Sequence, residues 1–183
     1  MKRSFFDEIS TNKRNSVILT GLFFGFVIFI GYILGYIYAS PVGGIVLSII
    51  IASIYSLIVF SSGEQIILSS KNAKPANKAE HAYIINTIEG LSIASGLPAP
   101  KVYIIDDVAI NAFATGKDPN NSYIAVTTGA IKKLTREELE GVLGHEMSHI
   151  KNYDIRLMLL VSVFVAGAVV VVLLPPPSLP HDY

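Results

Sequence analysis

Cysteine and tryptophan are absent from the 183 residues, and charged residues make up only 15%. Without cysteine there is no disulfide scaffold and no thiolate metal site. Any metal must be held by histidine and carboxylate, and only four histidines are present. A soluble domain carries about a quarter charged residues. The deficit here is concentrated in three uncharged apolar runs, residues 17–38, 42–60 and 157–174, of 22, 19 and 18 residues. Each is near the ~20 residues that cross a ~30 Å hydrocarbon core. Between the second and third runs, residues 64–156 hold ten Lys/Arg and eleven Asp/Glu. That balance provides no strong positive field, which excludes nucleic acid as a partner.

What is present reads as an integral membrane protein. Lys2, Arg3, Lys13 and Arg14 precede the first run, as a basic segment precedes a secretory signal. A cleavable signal has an apolar region of only about 7–15 residues, and here a second run follows almost at once. Ala39-Ser40-Pro41 is too short to hold a domain, so residues 17–60 are expected to form a transmembrane hairpin with both ends on one side. Lys71, Lys74 and Lys78 after the second run match the basic N-terminus, and the positive-inside rule assigns both to the cytoplasm. The expected organisation is a cytoplasmic N-terminus (1–16), the hairpin (17–38 and 42–60), a cytoplasmic domain (61–156), a third span (157–174) and a short extracytoplasmic tail (175–183). Gly21, Gly25, Gly31 and Gly35 form two small-xxx-small pairs, expected to pack against the second span of the same chain.

The cytoplasmic stretch predicts a small α+β domain. Residues 76–95 have Tyr83, Ile84, Ile88 and Leu91 at helical spacing, closed by Gly96 and Pro98. Residues 101–105 read as a strand. Residues 110–115 and 123–128 read as two more, joined by a turn-rich segment that suggests a hairpin in an antiparallel sheet. Thr135, with Glu138 three residues on, forms a capping box that starts a final helix.

That helix contains His145-Glu146-Met147-Ser148-His149. Spacing of i and i+4 puts both imidazoles on one face, about 6 Å apart in rise, where they can bind one Zn²⁺. Glu146 is rotated about 100° from His145 and suits a base acting on a metal-activated water better than a ligand. The chemistry expected of such a set is hydrolysis of a peptide bond, with Glu146 moving the proton. Leu139, Val142, Leu143 and Ile150 give the helix an apolar face to dock. His81 reads as a surface residue, and His181 lies in the tail.

A catalytic zinc normally has three protein ligands and a water. No glutamate follows Glu146. Glu138 lies about 10 Å away along the helix, and Asp154 would be rotated about 140° from His149 if the helix continued. Asp182 falls on the far side of the membrane. Glu64, Glu80, Glu89, Asp106 and Asp107 have no spacing that recommends them. Asn152 and Arg156 share the histidine face, where they could support the ligands, with ordinary surface contact as the preferred reading.

Taken in order, the two N-terminal runs, Leu97-Pro98-x-Pro100-Lys101-Val102-Tyr103-Ile104-Ile105, Asn111-Ala112-Phe113-Ala114-Thr115-Gly116 and Ala125-Val126-Thr127-Thr128-Gly129 carry a resemblance. With Glu138-Leu139-Glu140-Gly141-Val142-Leu143 and the motif followed by Ile150-Lys151-Asn152, the chain resembles the HtpX family. These are membrane-bound zinc metalloproteases related to the CAAX prenyl proteases. The resemblance implies a zincin-like domain facing the cytoplasm that cleaves damaged or misfolded membrane proteins. It implies one Zn²⁺ held by His145 and His149, with Glu146 as acid/base. By analogy with other zincins, residues 123–128 would offer a strand edge to an extended substrate. Family members supply the third ligand from a later Glu-bearing helix. The 183 residues are therefore expected to be a fragment of a longer protein or a natural short form. The competing reading is a truncated, non-catalytic relative that binds partners or metal weakly.

Overall fold

The computed structural model describes residues 5–173. The elements in chain order are α1 (Phe5–Ile37), α2 (Pro41–Ser70), β1 (Lys74–Pro75), α3 (Lys78–Ser95) and β2 (Lys101–Ile105). They continue with β3 (Ala112–Asp118), β4 (Asn121–Thr127), α4 (Thr128–Lys133), α5 (Arg136–Lys151) and α6 (Asp154–Leu173).

Two helical stretches, Ile9–Ile37 and Pro41–Ser70, are long and apolar enough to cross a membrane. Both helices exceed the apolar runs that predict them, because helix geometry continues into the polar flanks on the domain side. Their break is set locally: Ala39 has φ +56°, and Pro41 opens α2 at a position that needs no N–H. Large apolar side chains stay exposed along both helices, Leu22 at 66% and Leu57 at 71% among them. That pattern suits a surface solvated by lipid tails. The two glycine pairs differ. A methyl group on Gly31, Gly35 or Gly44 would strike facing backbone, whereas Gly21 and Gly25 have open space. Only Gly31 and Gly35 mediate the close approach to α2. The third expected span falls on α6; residues 174–183, with the tail and His181, lie outside the described residues.

The small domain has a four-stranded sheet in the order β1-β2-β4-β3. β4 runs parallel to β2 and antiparallel to β3, so the sheet is mixed and not the antiparallel one expected. The reason is the chain path: β2 reaches β4 only after the β3 strand has been laid outside it. The 112–127 hairpin turns where Asp118 Oδ1 accepts the N–H groups of Asn120 and Asn121. Gly116, at φ +144°, makes the bulge that precedes the turn, and a side chain there would meet the Asn121 carbonyl.

β4 is central and buried on both faces. Ile124 and Val126 face a core with Ile84 and Ile88 of α3, Leu139, Leu143, Met147 and Ile150 of α5, and Ile155 of α6. Tyr123 and Ala125 face Leu68 of α2 and Ile105. The sheet is thus clamped between α3–α5 and the domain end of α2. Helix α3 begins at Lys78, capped by the Asn77 side chain on Ala79 N–H, two residues later than the periodicity suggests. Helix α4 and strand β1 are too short for periodicity to reveal.

Candidate metal and proteolytic site

The capping box at Thr135 sets the phase of α5. Thr135 Oγ1 accepts the Glu138 N–H at 3.2 Å, and Glu138 Oε2 accepts the Thr135 N–H at 2.8 Å. From that start, Leu139, Leu143, Met147 and Ile150 turn into the core. His145, Glu146 and His149 occupy the other side, with His145 exposed and the other two half-buried.

His145 Nε2 and His149 Nε2 stand 3.1 Å apart, their rings nearly perpendicular at 82°. Two nitrogens each about 2.0–2.1 Å from a tetrahedral zinc would be about 3.3–3.4 Å apart. The pair fits one metal with a shift of a few tenths of an ångström. His149 Nδ1 lies 2.8 Å from Asp154 Oδ2. An ionised carboxylate can only accept, so Nδ1 carries the proton, and in the neutral ring Nε2 presents its lone pair. Glu146 Oε2 accepts the Ala114 N–H at 2.9 Å, which ties the motif's carboxylate to β3.

β3 is the edge of the sheet beside the motif. β4, containing most of the residues expected to offer a strand edge, is paired on both sides and cannot do so. A cavity of about 350 Å³ runs along β3, lined by Ala112, Phe113, Ala114, Thr115, Glu146, His149 and Asp154, with Met158, Leu159 and Ser162 of α6. Ile67 and Ser162 also line a larger apolar cavity of about 630 Å³ between α1, α2 and α6.

Among the described residues, no group of three or more His, Cys, Asp or Glu is gathered that could hold a metal. Three of the carboxylates considered from sequence have other engagements. Glu138 completes the cap, Glu89 lies 4.0 Å from Lys78, and Asp107 caps the turn at Ala109. Glu64 is buried in α2, with its Oε2 unpartnered. His81 is exposed, its Nδ1 3.3 Å from the Asn77 carbonyl oxygen.

Asp154 is the residue whose role the spacing misses. Helix α5 stops at Lys151, Asn152 caps it and Tyr153 takes φ +62°, so α6 starts afresh at Asp154. That break swings Asp154 back beneath His149. The Asn152 carbonyl accepts from Asn12 of α1, and the Arg156 guanidinium lies 6.0 Å from the Phe60 ring. The signal available in sequence is the polar triplet Asn152-Tyr153-Asp154 just ahead of the apolar run 157–174.

Residues 78–175 match the family described as peptidase family M48. Over 169 residues the chain is 40% identical to a protease HtpX homolog of Dictyoglomus turgidum, covering 92% of this chain and 55% of that protein. Over 153 residues it is 41% identical to a protease HtpX homolog of Streptococcus pneumoniae, covering 83% and 51%. The crystal structure of S. mikatae Ste24p aligns with 90% of this chain and 39% of its own, at 19% identity and a TM-score of 0.47. The chain therefore spans about half the length of the curated relatives it matches.

Proposed function

The chain belongs to peptidase family M48, and from that membership we propose that it carries the two-histidine part of a membrane metalloprotease centre. In this reading His145 and His149 hold a single Zn²⁺ and Glu146 is the acid/base. When bound, zinc supplies Lewis-acid polarisation of a carbonyl and makes a water acidic enough to attack at neutral pH. Glu146, held by Ala114 N–H, is poised to accept a proton and return it to a leaving amine. An extended polypeptide would lie along the outer edge of β3, beside Glu146. Membrane proteins or unfolded polypeptides are the substrate class that the resemblance implies. The basic residues flanking the hairpin support a cytoplasmic face for the domain, in a cell membrane crossed by α1, α2 and α6.

The observation that carries this reading is the 3.1 Å approach of the two Nε2 atoms with no third ligand gathered beside them among the described residues. It favours the weaker version of the function for these 183 residues taken alone: they bind metal loosely and do not cleave. Two imidazoles on one helix leave two coordination positions open, and a three-ligand site has more charge and a more fixed geometry.

The experiment is a zinc titration of the purified chain in detergent, with an unfolded-protein cleavage assay and the His145→Ala and Glu146→Gln variants beside it. Weak, His145-dependent zinc binding and no Glu146-dependent cleavage are expected. Tight stoichiometric zinc with Glu146-dependent cleavage would mean that another carboxylate or a second subunit completes the site.

A further inference from the structure

Asp154 orients His149, and something must orient Asp154, because it follows a helix break with a left-handed residue at its centre. We infer that Asn12, near the start of the first membrane helix, is a positioning residue that holds Asp154 and through it His149. The inference rests on the reading of His149 as a metal ligand.

The side-chain amide of Asn12 has two hydrogens, and both are placed. Nδ2 donates to Asp154 Oδ1 and, at 3.1 Å, to the carbonyl of Asn152. These two acceptors flank Tyr153, the residue at φ +62°. The next residue of α1, Lys13, lies with its Nζ 4.2 Å from the centre of the Tyr153 ring. One turn of α1 therefore touches all three residues of the break. Each Asp154 oxygen then has its own donor, Oδ1 from Asn12 and Oδ2 from His149 Nδ1.

The consequence for the ligand follows from the imidazole. A ring presents its Nε2 lone pair only while its proton sits on Nδ1, and a carboxylate held at Nδ1 fixes that tautomer and the ring plane. Without the Asn12 donor, Asp154 Oδ1 is left to water and the carboxylate is free to turn away. An aspartate at position 12 would have the same shape as asparagine. It would replace the donor with an acceptor and set two like charges in contact.

Two measurements separate this role from a structural one. The first needs no metal: ¹⁵N spectra of histidine-labelled protein in detergent, at a pH where the imidazoles are neutral. His149 should be held as the Nδ1–H tautomer in the unsubstituted chain and move to a mixture in Asn12→Asp, with the His81 signals unchanged. The second is Zn²⁺ affinity, which Asp154→Ala should weaken by about 10–100-fold and Asn12→Asp by about tenfold. If Asn12→Asp does not fold, Asn12→Ala removes the donor without adding charge and is read by the same spectrum. A His149 spectrum in the folded variant that matches the unsubstituted chain overturns the inference. Loss of all His145-dependent zinc binding in the unsubstituted chain would instead sink the metal reading, and the tautomer measurement would still judge Asn12.

Discussion

Glu146 accepts the backbone N–H of Ala114 at 2.9 Å, so the motif's one carboxylate is anchored to the edge strand of the sheet. Ala114 pairs with Ile124 on the other side, and its N–H points outward from the ladder. The bond fixes the carboxylate on the edge where a peptide would add as a further strand. The tie connects the proposed base to the proposed substrate groove through a single backbone atom.

The first prediction concerns that carboxylate. In Glu146→Gln the amide oxygen can still accept the Ala114 N–H, so the fold and the zinc affinity should change little. In a form of the protein that cleaves, its activity should fall by about 10²–10⁴-fold, the usual contribution of a general acid/base. A zinc titration and a cleavage assay on the same preparation check both halves. Retained cleavage would remove Glu146 from the mechanism.

Topology is the second prediction. Asn120 sits in the β3–β4 turn and Ser40 in the turn between α1 and α2. Cysteines introduced singly at these positions should label from opposite sides of a sealed membrane, with Asn120 reached from the cytoplasm. The contact between Asn12 and the α5–α6 break already places the start of α1 at the domain end of the bundle. Labelling of both positions from one side would overturn the hairpin.

Features decided within a few residues were legible in the sequence. The i, i+4 histidines, the Thr135–Glu138 box and the short Ala39–Pro41 connection all depend on local geometry. What escaped depends on distant segments. The parallel pairing of β2 with β4, which makes β3 the edge, is settled by sheet assembly and not by any turn. Asp154 looked misplaced because the helix was assumed to run on, and the break at Tyr153 is held in part by Asn12, about 140 residues earlier. Which glycine pair packs was equally invisible, since both have the same spacing and only the position of Gly44 on α2 distinguishes them.

The third prediction follows from those glycines. A Cβ on Gly44 would meet the Gly31 carbonyl and the Gly35 backbone, which cannot rotate away. Gly44→Ala should therefore separate the hairpin helices and destabilise it by about 1–3 kcal/mol, the range for overpacking. Gly21→Ala meets open space and should be nearly neutral. Unfolding of the two variants in mixed detergent micelles compares them directly, and equal midpoints would mean that the helices do not touch through Gly44.

The last prediction concerns the frame of the motif helix. Leu143 is fully buried two residues before His145, packed in the core that joins α3, β4 and α5. Leu143→Ala should cost about 2–5 kcal/mol, a transfer term plus a cavity term. Thr135→Ala removes one half of the capping box and should cost about 1 kcal/mol. The two positions are eight residues apart, roughly 12 Å along the helix, and share no partner, so their costs should add within about 0.5 kcal/mol. Their effects on the site should differ. Loss of the cap frays the first turn, two turns or more from His145, and should leave zinc affinity unchanged. The Leu143 cavity lies under the motif itself, lets the helix shift, and should weaken zinc binding as well. Circular dichroism melts and zinc titrations on the single and double variants give both numbers. If Thr135→Ala weakened zinc as much as Leu143→Ala, the helix would be moving as one rigid rod, and the core beneath His145 would not be what sets the ligand positions.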